Sequence, residues 1–179
     1  FAALTPPRIS QAAFTDLEVR KQELDVIGRI IEGMGEAGIP FLHLYLNVNP
    51  APSDLAEKQG MWQGLVEVYR QLMQISEKSG VRISTHHYHK PDRLLWNYET
   101  MSSLLNEVQS SCNGVTYCQG KSQMAGDNLV SDILNYGDQI FMFHIRDVVT
   151  HVSGEVSAEV EKRLADMGYL EVAFGTGEV

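Results

Sequence analysis

Three short apolar runs in this chain each end in a side chain able to hold a metal. They are His86 after Val81-Arg-Ile-Ser-Thr, Cys118 after Asn113-Gly-Val-Thr-Tyr, and His144 after Ile140-Phe-Met-Phe. Imidazole and thiolate together suit a divalent first-row transition metal. Three protein ligands that leave a coordination position open are the arrangement of a catalytic rather than a structural site. Arg146, two residues beyond His144, puts a cation with a planar donor fork beside them, which suits a carboxylate substrate. Singly, each residue has a plainer reading. A lone Cys in a strand is most often a small buried hydrophobe. A His at a strand end is more often a hydrogen-bonded core or rim group, and Arg146 can serve as an ion-pair partner of Asp147 or of a neighbouring loop. The coincidence of three donors at equivalent strand positions is the informative feature. His87 and His89 alternate with His86 or lie beyond its strand and are weaker ligand candidates, and Cys112 precedes its strand in a polar stretch.

The elements that must position these residues follow from periodicity and punctuation. Residues 1–14 read as irregular, with Pro6-Pro7 blocking a helix. Thr15-Asp-Leu-Glu18 is a capping box, and Leu17, Leu24, Ile27, Ile31 and Met34 follow at helical spacing to about Ala37, with Gly38 as the stop. Phe41 to Val48 is a strand broken by Asn49-Pro-Ala-Pro-Ser53. A second helix covers Met61 to Lys78, a strand 81–86, a third helix Tyr98 to Gln109, and a strand 114–118. Asp127 or Asn128 caps a short helix ending at Gly137. Strand 140–146, a fourth long helix over 157–167 and a last strand near Tyr169–Phe174 complete the chain. Strands alternating with helices imply βα units and a parallel sheet.

Strand parity separates two parallel-sheet architectures. In a doubly wound sheet both faces carry helices, and a strand is apolar on both sides. Here Leu42, Leu44, Leu46 and Val48 oppose His43, Tyr45 and Asn47. Val81 and Ile83 oppose Arg82, Ser84 and His86. Val115 and Tyr117 oppose Gly114, Thr116 and Cys118, while Phe141, Phe143 and Ile145 oppose Ile140, Met142, His144 and Arg146. One face packs on helices, and the other turns small or polar toward its C-terminal end, as the mouth of a (β/α)8 barrel requires. The expected fold class is α/β, a TIM-barrel-like (β/α) repeat. It forms a partial barrel of about five parallel strands with helices on one face, and residues 1–179 make a single, incomplete domain.

A full barrel has eight strands and typically about 250 residues, whereas this chain has 179, begins at Phe1 without a Met and stops within Gly175-Thr-Gly-Glu-Val179. The expectation is a fragment of a longer polypeptide or a sheet completed by association. The net charge of −9, from 14 basic and 23 acidic residues without a Lys/Arg cluster, argues against nucleic acid or an anionic membrane as partner. With only two cysteines, no run near eighteen apolar residues and no charged-then-apolar leader, the expected location is the reducing cytoplasm.

At the metal-capable residues the sequence resembles the mannonate dehydratase family of the xylose-isomerase-like barrel superfamily. The resemblance is carried by Asn113-Gly-Val-Thr-Tyr-Cys118-Gln-Gly120, by Asp127-Asn128, and by Tyr136-Gly-Asp-Gln-Ile-Phe-Met-Phe-His144-Ile-Arg146-Asp147-Val148. Gly80-Val-Arg-Ile-Ser-Thr-His86 and Tyr169-Leu-Glu171-Val-Ala-Phe-Gly175-Thr-Gly177-Glu-Val179 add to it. It covers roughly residues 80–179, with weaker support over 15–60.

The resemblance implies a Mn²⁺-dependent hydro-lyase of glucuronate catabolism that converts D-mannonate to 2-keto-3-deoxy-D-gluconate and water. His86, Cys118 and His144 would be its metal ligands, and Arg146 would lie near the sugar-acid carboxylate. Tyr88 and His89 are the candidates within reach for proton transfer. Three departures stand out. His87-Tyr88-His89 replaces the family's usual Pro-Asp-Asp, Phe174 stands where a His is common, and the acidic fourth ligand would be the residue after Val179. The expected partner is a small sugar acid, and a homo-oligomer is expected. The competing readings are a sugar isomerase or epimerase on the same scaffold, and a barrel fragment with an incomplete site.

Overall fold

The computed structural model describes residues 3–4, 8–47 and 49–178; Pro6, Pro7, Val48 and Val179 fall outside them. In chain order the elements are β1 (Ala3–Leu4), β2 (Ile9–Ser10), a 3-10 turn at Gln11–Phe14, α1 (Leu17–Glu36), β3 (Phe41–Asn47), α2 (Leu55–Ser79) and β4 (Arg82–His86). There follow α3 (Tyr98–Glu107), β5 (Asn113–Cys118), α4 (Gln119–Ala125), α5 (Leu129–Tyr136), a second 3-10 turn at Gly137–Gln139, and β6 (Ile140–His144). The chain continues through β7 (Asp147–Val149), α6 (Ala158–Met167) and β8 (Leu170–Val172). One parallel sheet runs in the order β1-β3-β4-β5-β6, with β2 also pairing with β3. Among the described residues its edge strands do not pair with each other, so this is an open arc of a barrel-like sheet.

Helices cover one face of the arc. Leu42, Leu44 and Leu46 of β3, Ile83 of β4 and Tyr117 of β5 are buried against Ile27 and Ile31 of α1, Leu65, Tyr69 and Leu72 of α2, and Leu104 of α3. A polar pair within this layer, Tyr69 Oη and Thr85 Oγ1, lies at 2.8 Å, so its burial costs little. Two glycines are required here, one by close packing and one by backbone conformation. A Cβ on Gly64 of α2 would stand 1.7 Å from the carbonyl oxygen of Phe14, and the αL cap at Gly80 (φ 69°) ends α2 just before β4.

Several sequence expectations need correction. Residues 9–14 are ordered into β2 and a 3-10 turn whose Ala13 and Phe14 are buried. The N-cap of α1 is Asp16, which accepts from the backbone N–H of Glu18 and Val19 at 2.9 and 3.2 Å. Thr15 therefore does not cap the helix, and Leu17 is 71% exposed. α2 starts at Leu55 because Asp54 caps it through Glu57 N–H, and α4 is an additional helix. β6 ends at His144, so Arg146 lies in the connection rather than on the strand.

The last strand does not extend the parallel sheet. β8 pairs antiparallel with β7 in a separate two-stranded ribbon. Asp147 locks this ribbon, because its Oδ2 accepts from the backbone N–H of Gly175, Thr176 and Gly177 at 2.8, 3.1 and 3.0 Å. A Cβ on Gly177 would fall 2.0 Å from Asp147 Oδ1. α6 contributes no buried side chain, so it cannot hold β8 against the sheet as α2 and α3 hold β4 and β5.

The parity of β6 also departs from simple alternation. A register shift lies between Val115↔Ile140 and Thr116↔Met142. The extra residue moves Ile140 onto the helix-packed side, where it touches the core. It also turns the Phe141 ring toward Gly114, whose added Cβ would lie 2.5 Å from Phe141. Beyond the bulge the alternation resumes as expected.

Candidate metal centre

The uncovered face of the arc is built in rows set by strand register. His43, Ser84 and Gly114 form one row, and Tyr45, His86, Thr116 and Met142 the next. Cys118 pairs directly with His144 at the ends of β5 and β6. Ser84 Oγ and Thr116 Oγ1, buried and 2.7 Å apart, bind each other beneath the histidines. The bulge in β6 decides the site. In an unbroken register Cys118 would face Phe143, and the imidazole of His144 would point to the other side.

His86, Cys118 and His144 each offer one ligand atom, and the three atoms lie within 4.8 Å of one another. His86 and Cys118 are fully buried and His144 half-buried. His86 Nε2 stands 3.1 Å from His144 Nδ1. Donors at about 2.0–2.3 Å from a common ion stand roughly 3–4 Å apart; the His86–His144 pair lies in that range, and the widest separation allowed, 4.8 Å, exceeds it by under about 1 Å. The Nδ1 of His86 lies 2.6 Å from the carbonyl oxygen of His87. A proton on Nδ1 satisfies that carbonyl and leaves the Nε2 lone pair facing His144, the outer bond that orients a metal-binding imidazole.

Electrostatics keep the histidines neutral. Burial pushes the His86 pKa far down, with His87 and Lys121 adding to it. Burial also lowers His144, and Arg146 and Lys121 lower it further. Burial raises the Cys118 thiol, opposed by the Lys121 backbone N–H and the Arg146 and Lys121 cations. A neutral imidazole is ready to ligate, and a thiol in this setting ionises when a cation takes up its charge.

The remaining expected residues surround this cluster. Arg146 Nη1 donates to Glu171 Oε1 at 2.8 Å and approaches Tyr169 Oη at 3.5 Å. Its stem crosses Gly120, where a Cβ would lie 2.7 Å from Arg146 Cγ. Arg146 thus does have an ion-pair partner, but it is Glu171 on strand β8 rather than Asp147 or a loop residue. The Tyr88 hydroxyl donates to the carbonyl of Leu46. The His89 ring stands edge-on to Tyr169 with centroids 5.7 Å apart, and burial followed by Lys121 and Lys90 holds its pKa down to about 4.

Four residues of this mouth were missed in the sequence. His43 packs edge-on to His144 at 5.1 Å, and Tyr45 stacks on His86 at 4.4 Å. Both lie on the inward parity, which was the signal available for them. Lys121 and Tyr169 carried no such signal, because only tertiary contacts bring them to the mouth. Cys112, by contrast, is a buried free thiol within the core.

The D-mannonate dehydratase (UxuA) family model matches residues 13–172. A mannonate dehydratase of Saccharophagus degradans is 30% identical over 103 residues, covering 54% of this chain and 26% of that protein. One from Geobacillus thermodenitrificans is 27% identical over 94 residues, covering 48% and 25%. The chain thus spans about a quarter of the length of these curated relatives. Among solved structures, mannonate dehydratase from Streptococcus suis serotype 2 superposes with a TM-score of 0.75 at 16% identity, over 100% of this chain and 60% of that one. The IolI protein, solved with a zinc atom, superposes with a TM-score of 0.74 at 18% identity, over 99% and 59%. Both superpositions show that the open arc shares its fold with the corresponding part of those chains. With the family model matched over most of its length, the chain belongs to the D-mannonate dehydratase family.

Proposed function

We propose that this chain carries the divalent-metal site of a sugar-acid dehydratase that converts D-mannonate to 2-keto-3-deoxy-D-gluconate and water. The observation that carries the reading is the convergence of His86, Cys118 and His144 within 4.8 Å at three parallel strand ends, in a chain of this family. The donors fit such an ion: two imidazoles kept neutral by burial and one thiol, with His144 the partly exposed member. Mn²⁺ is the proposed ion, although a His/Cys set also accommodates Zn²⁺, Co²⁺ or Fe²⁺. A cation held there supplies Lewis-acid stabilisation of the charge that develops when the proton next to the carboxylate is removed.

The chain's own residues would do the rest. Arg146 binds and orients the carboxylate; Glu171 and Tyr169 engage one of its nitrogens, and other guanidinium N–H donors remain. Of the two candidate bases, His89 is the one whose neutral ring can accept a proton, whereas the Tyr88 hydroxyl donates to Leu46. Tyr45 and His43 wall the site. We assign the activity to the cytoplasm, to one barrel domain and to a homo-oligomer that binds neither nucleic acid nor membrane. No described helix is long and apolar enough to cross a bilayer.

The test is conversion of D-mannonate by the purified chain with Mn²⁺, followed as appearance of the 2-keto acid. Expected is turnover that chelator abolishes and Mn²⁺ restores. Turnover of a free aldose or ketose without action on aldonates would replace the reading with an isomerase or epimerase, although the ligand group contains no carboxylate. Tight Mn²⁺ binding without turnover of either class would make this chain a catalytically incomplete part of the site.

A further inference from the structure

Beside the metal-capable cluster, Lys121 is a half-buried lysine that the mechanism above does not use. It sits on the first turn of α4, three residues after Cys118. Its ammonium is held 5.2 Å from the centroid of the Tyr88 ring, and among the described residues no carboxylate stands within ion-pair distance of it. Its neighbours include a second cation. Arg146 crosses Gly120, the residue preceding Lys121, and the two act on each other electrostatically, with Lys90 adding a third positive charge. The anions that oppose them are Glu171, which Arg146 already engages, and the thiolate of Cys118, whose charge a bound cation would share. The mouth is therefore locally positive in a protein of net charge −9.

Holding cations together in a partly desolvated place is unfavourable unless an anion joins them. We propose that Lys121 is a specificity-determining residue that, with Arg146, forms a two-point receptor for the substrate's carboxylate. Lys121 supplies a compact point charge on one side and Arg146 a planar fork on the other. The Tyr88 ring fixes the height of the ammonium, which limits the entropy lost when the anion arrives. The pair thereby selects sugar acids over neutral sugars of the same length, since a neutral ligand leaves both cations uncompensated. This inference rests on the dehydratase reading for the identity of its substrate and, for its charge, on Lys121 lying over Tyr88 and next in sequence to Gly120, which Arg146 crosses.

The test is calorimetric binding to the Mn²⁺-loaded chain of D-mannonate and of D-mannose, its neutral counterpart, in wild type, Lys121→Met and Lys121→Arg. Wild type should bind the acid in preference to the neutral sugar. Lys121→Met should lose about ten- to a hundredfold in affinity for the acid, the scale of a hydrogen bond to a charged group, with Mn²⁺ affinity unchanged. Lys121→Arg should recover most of the loss, which a purely structural role would not predict. Unchanged affinity for D-mannonate in Lys121→Met overturns the inference. So does a loss of Mn²⁺ binding that accompanies the loss of the acid, or no binding of the acid by the Mn²⁺-loaded wild type. If Lys121→Met does not fold, Lys121→Gln takes its place under the same criteria. Acid binding that depends on Lys121 but yields no keto acid leaves the inference standing and removes the dehydration. Turnover with an unchanged KM in Lys121→Met does the reverse.

Discussion

Cys118 and His144 are direct cross-strand neighbours at the ends of β5 and β6, and a single-residue bulge lower in the same pair of strands makes them so. His86 reaches the same place from β4, so three consecutive strands deliver one donor each.

Replacing Cys118 with Ser removes the soft donor while keeping its size. Serine is close to cysteine in size and Cys118 makes no disulfide, so melting should shift by no more than a few degrees, within about 1 kcal/mol. Affinity for Mn²⁺ or Zn²⁺ should fall at least about tenfold, with turnover lost. Titration with each ion and a melting curve measure both. Destabilisation with unchanged metal affinity would make Cys118 a core residue only.

Arg146→Lys keeps the charge but loses the fork that reaches Glu171 and an incoming carboxylate. kcat/KM for the sugar acid should fall by about tenfold or more, while metal affinity stays at the wild-type level. Steady-state kinetics beside a metal titration separate the two; a proportional loss of both would give Arg146 a structural role at the ribbon.

Acid should destabilise the metal-free protein through its buried histidines. Burial lowers His43, His87 and His89 to about 4 from about 6.5. The unfolded chain therefore binds more protons than the folded one across that window. Stability is fully present above about pH 6.5 and is lost as pH falls toward 4. Urea midpoints measured at pH 7 and 5 should show the fall, and a flat profile would contradict it.

Asp132 works in the opposite sense. Burial, with Asp127 second, raises its pKa to about 6, and its Oδ2 is buried without a hydrogen-bond partner. Its neutral form fits the fold better, so its share of stability is present below about pH 4 and lost as pH rises through 6. Asp132→Asn should raise the melting temperature at pH 7 and narrow its gap from pH 5. A drop in melting temperature at pH 7 would show that the ionised carboxylate is the favoured form.

Gly64→Ala tests the contact between α2 and the 3-10 turn. The added methyl would overlap the carbonyl of Phe14, forcing the turn away at a cost of about 1–3 kcal/mol. Denaturant unfolding reads this directly, and an unchanged midpoint would mean the contact is looser than the backbone separation indicates.

Much of the scaffold follows from local chemistry that sequence carries in the open. Alternation on β3, β4 and β5 told the helix-packed face from the mouth, because side chains two apart share a face and burial selects for apolar ones. Gly80 and Gly137 ended helices, and Asn128 began one, through backbone preferences that need no distant partner. The same alternation put His86 and Cys118 on the inner side. Other features were decided only in three dimensions. The bulge that brings His144 to Cys118 depends on the fit of Phe141 against Gly114 across two strands. The last strand left the sheet because Asp147 captures three backbone N–H groups almost thirty residues away, which no local pattern encodes. Arg146 found Glu171 rather than Asp147 for the same reason. Local residue types thus determined which donors exist and which way most of them face. Packing between strands far apart in the chain decided whether they meet, and it also placed Lys121 beside them, because close approach is a property of pairs of surfaces and not of any one segment.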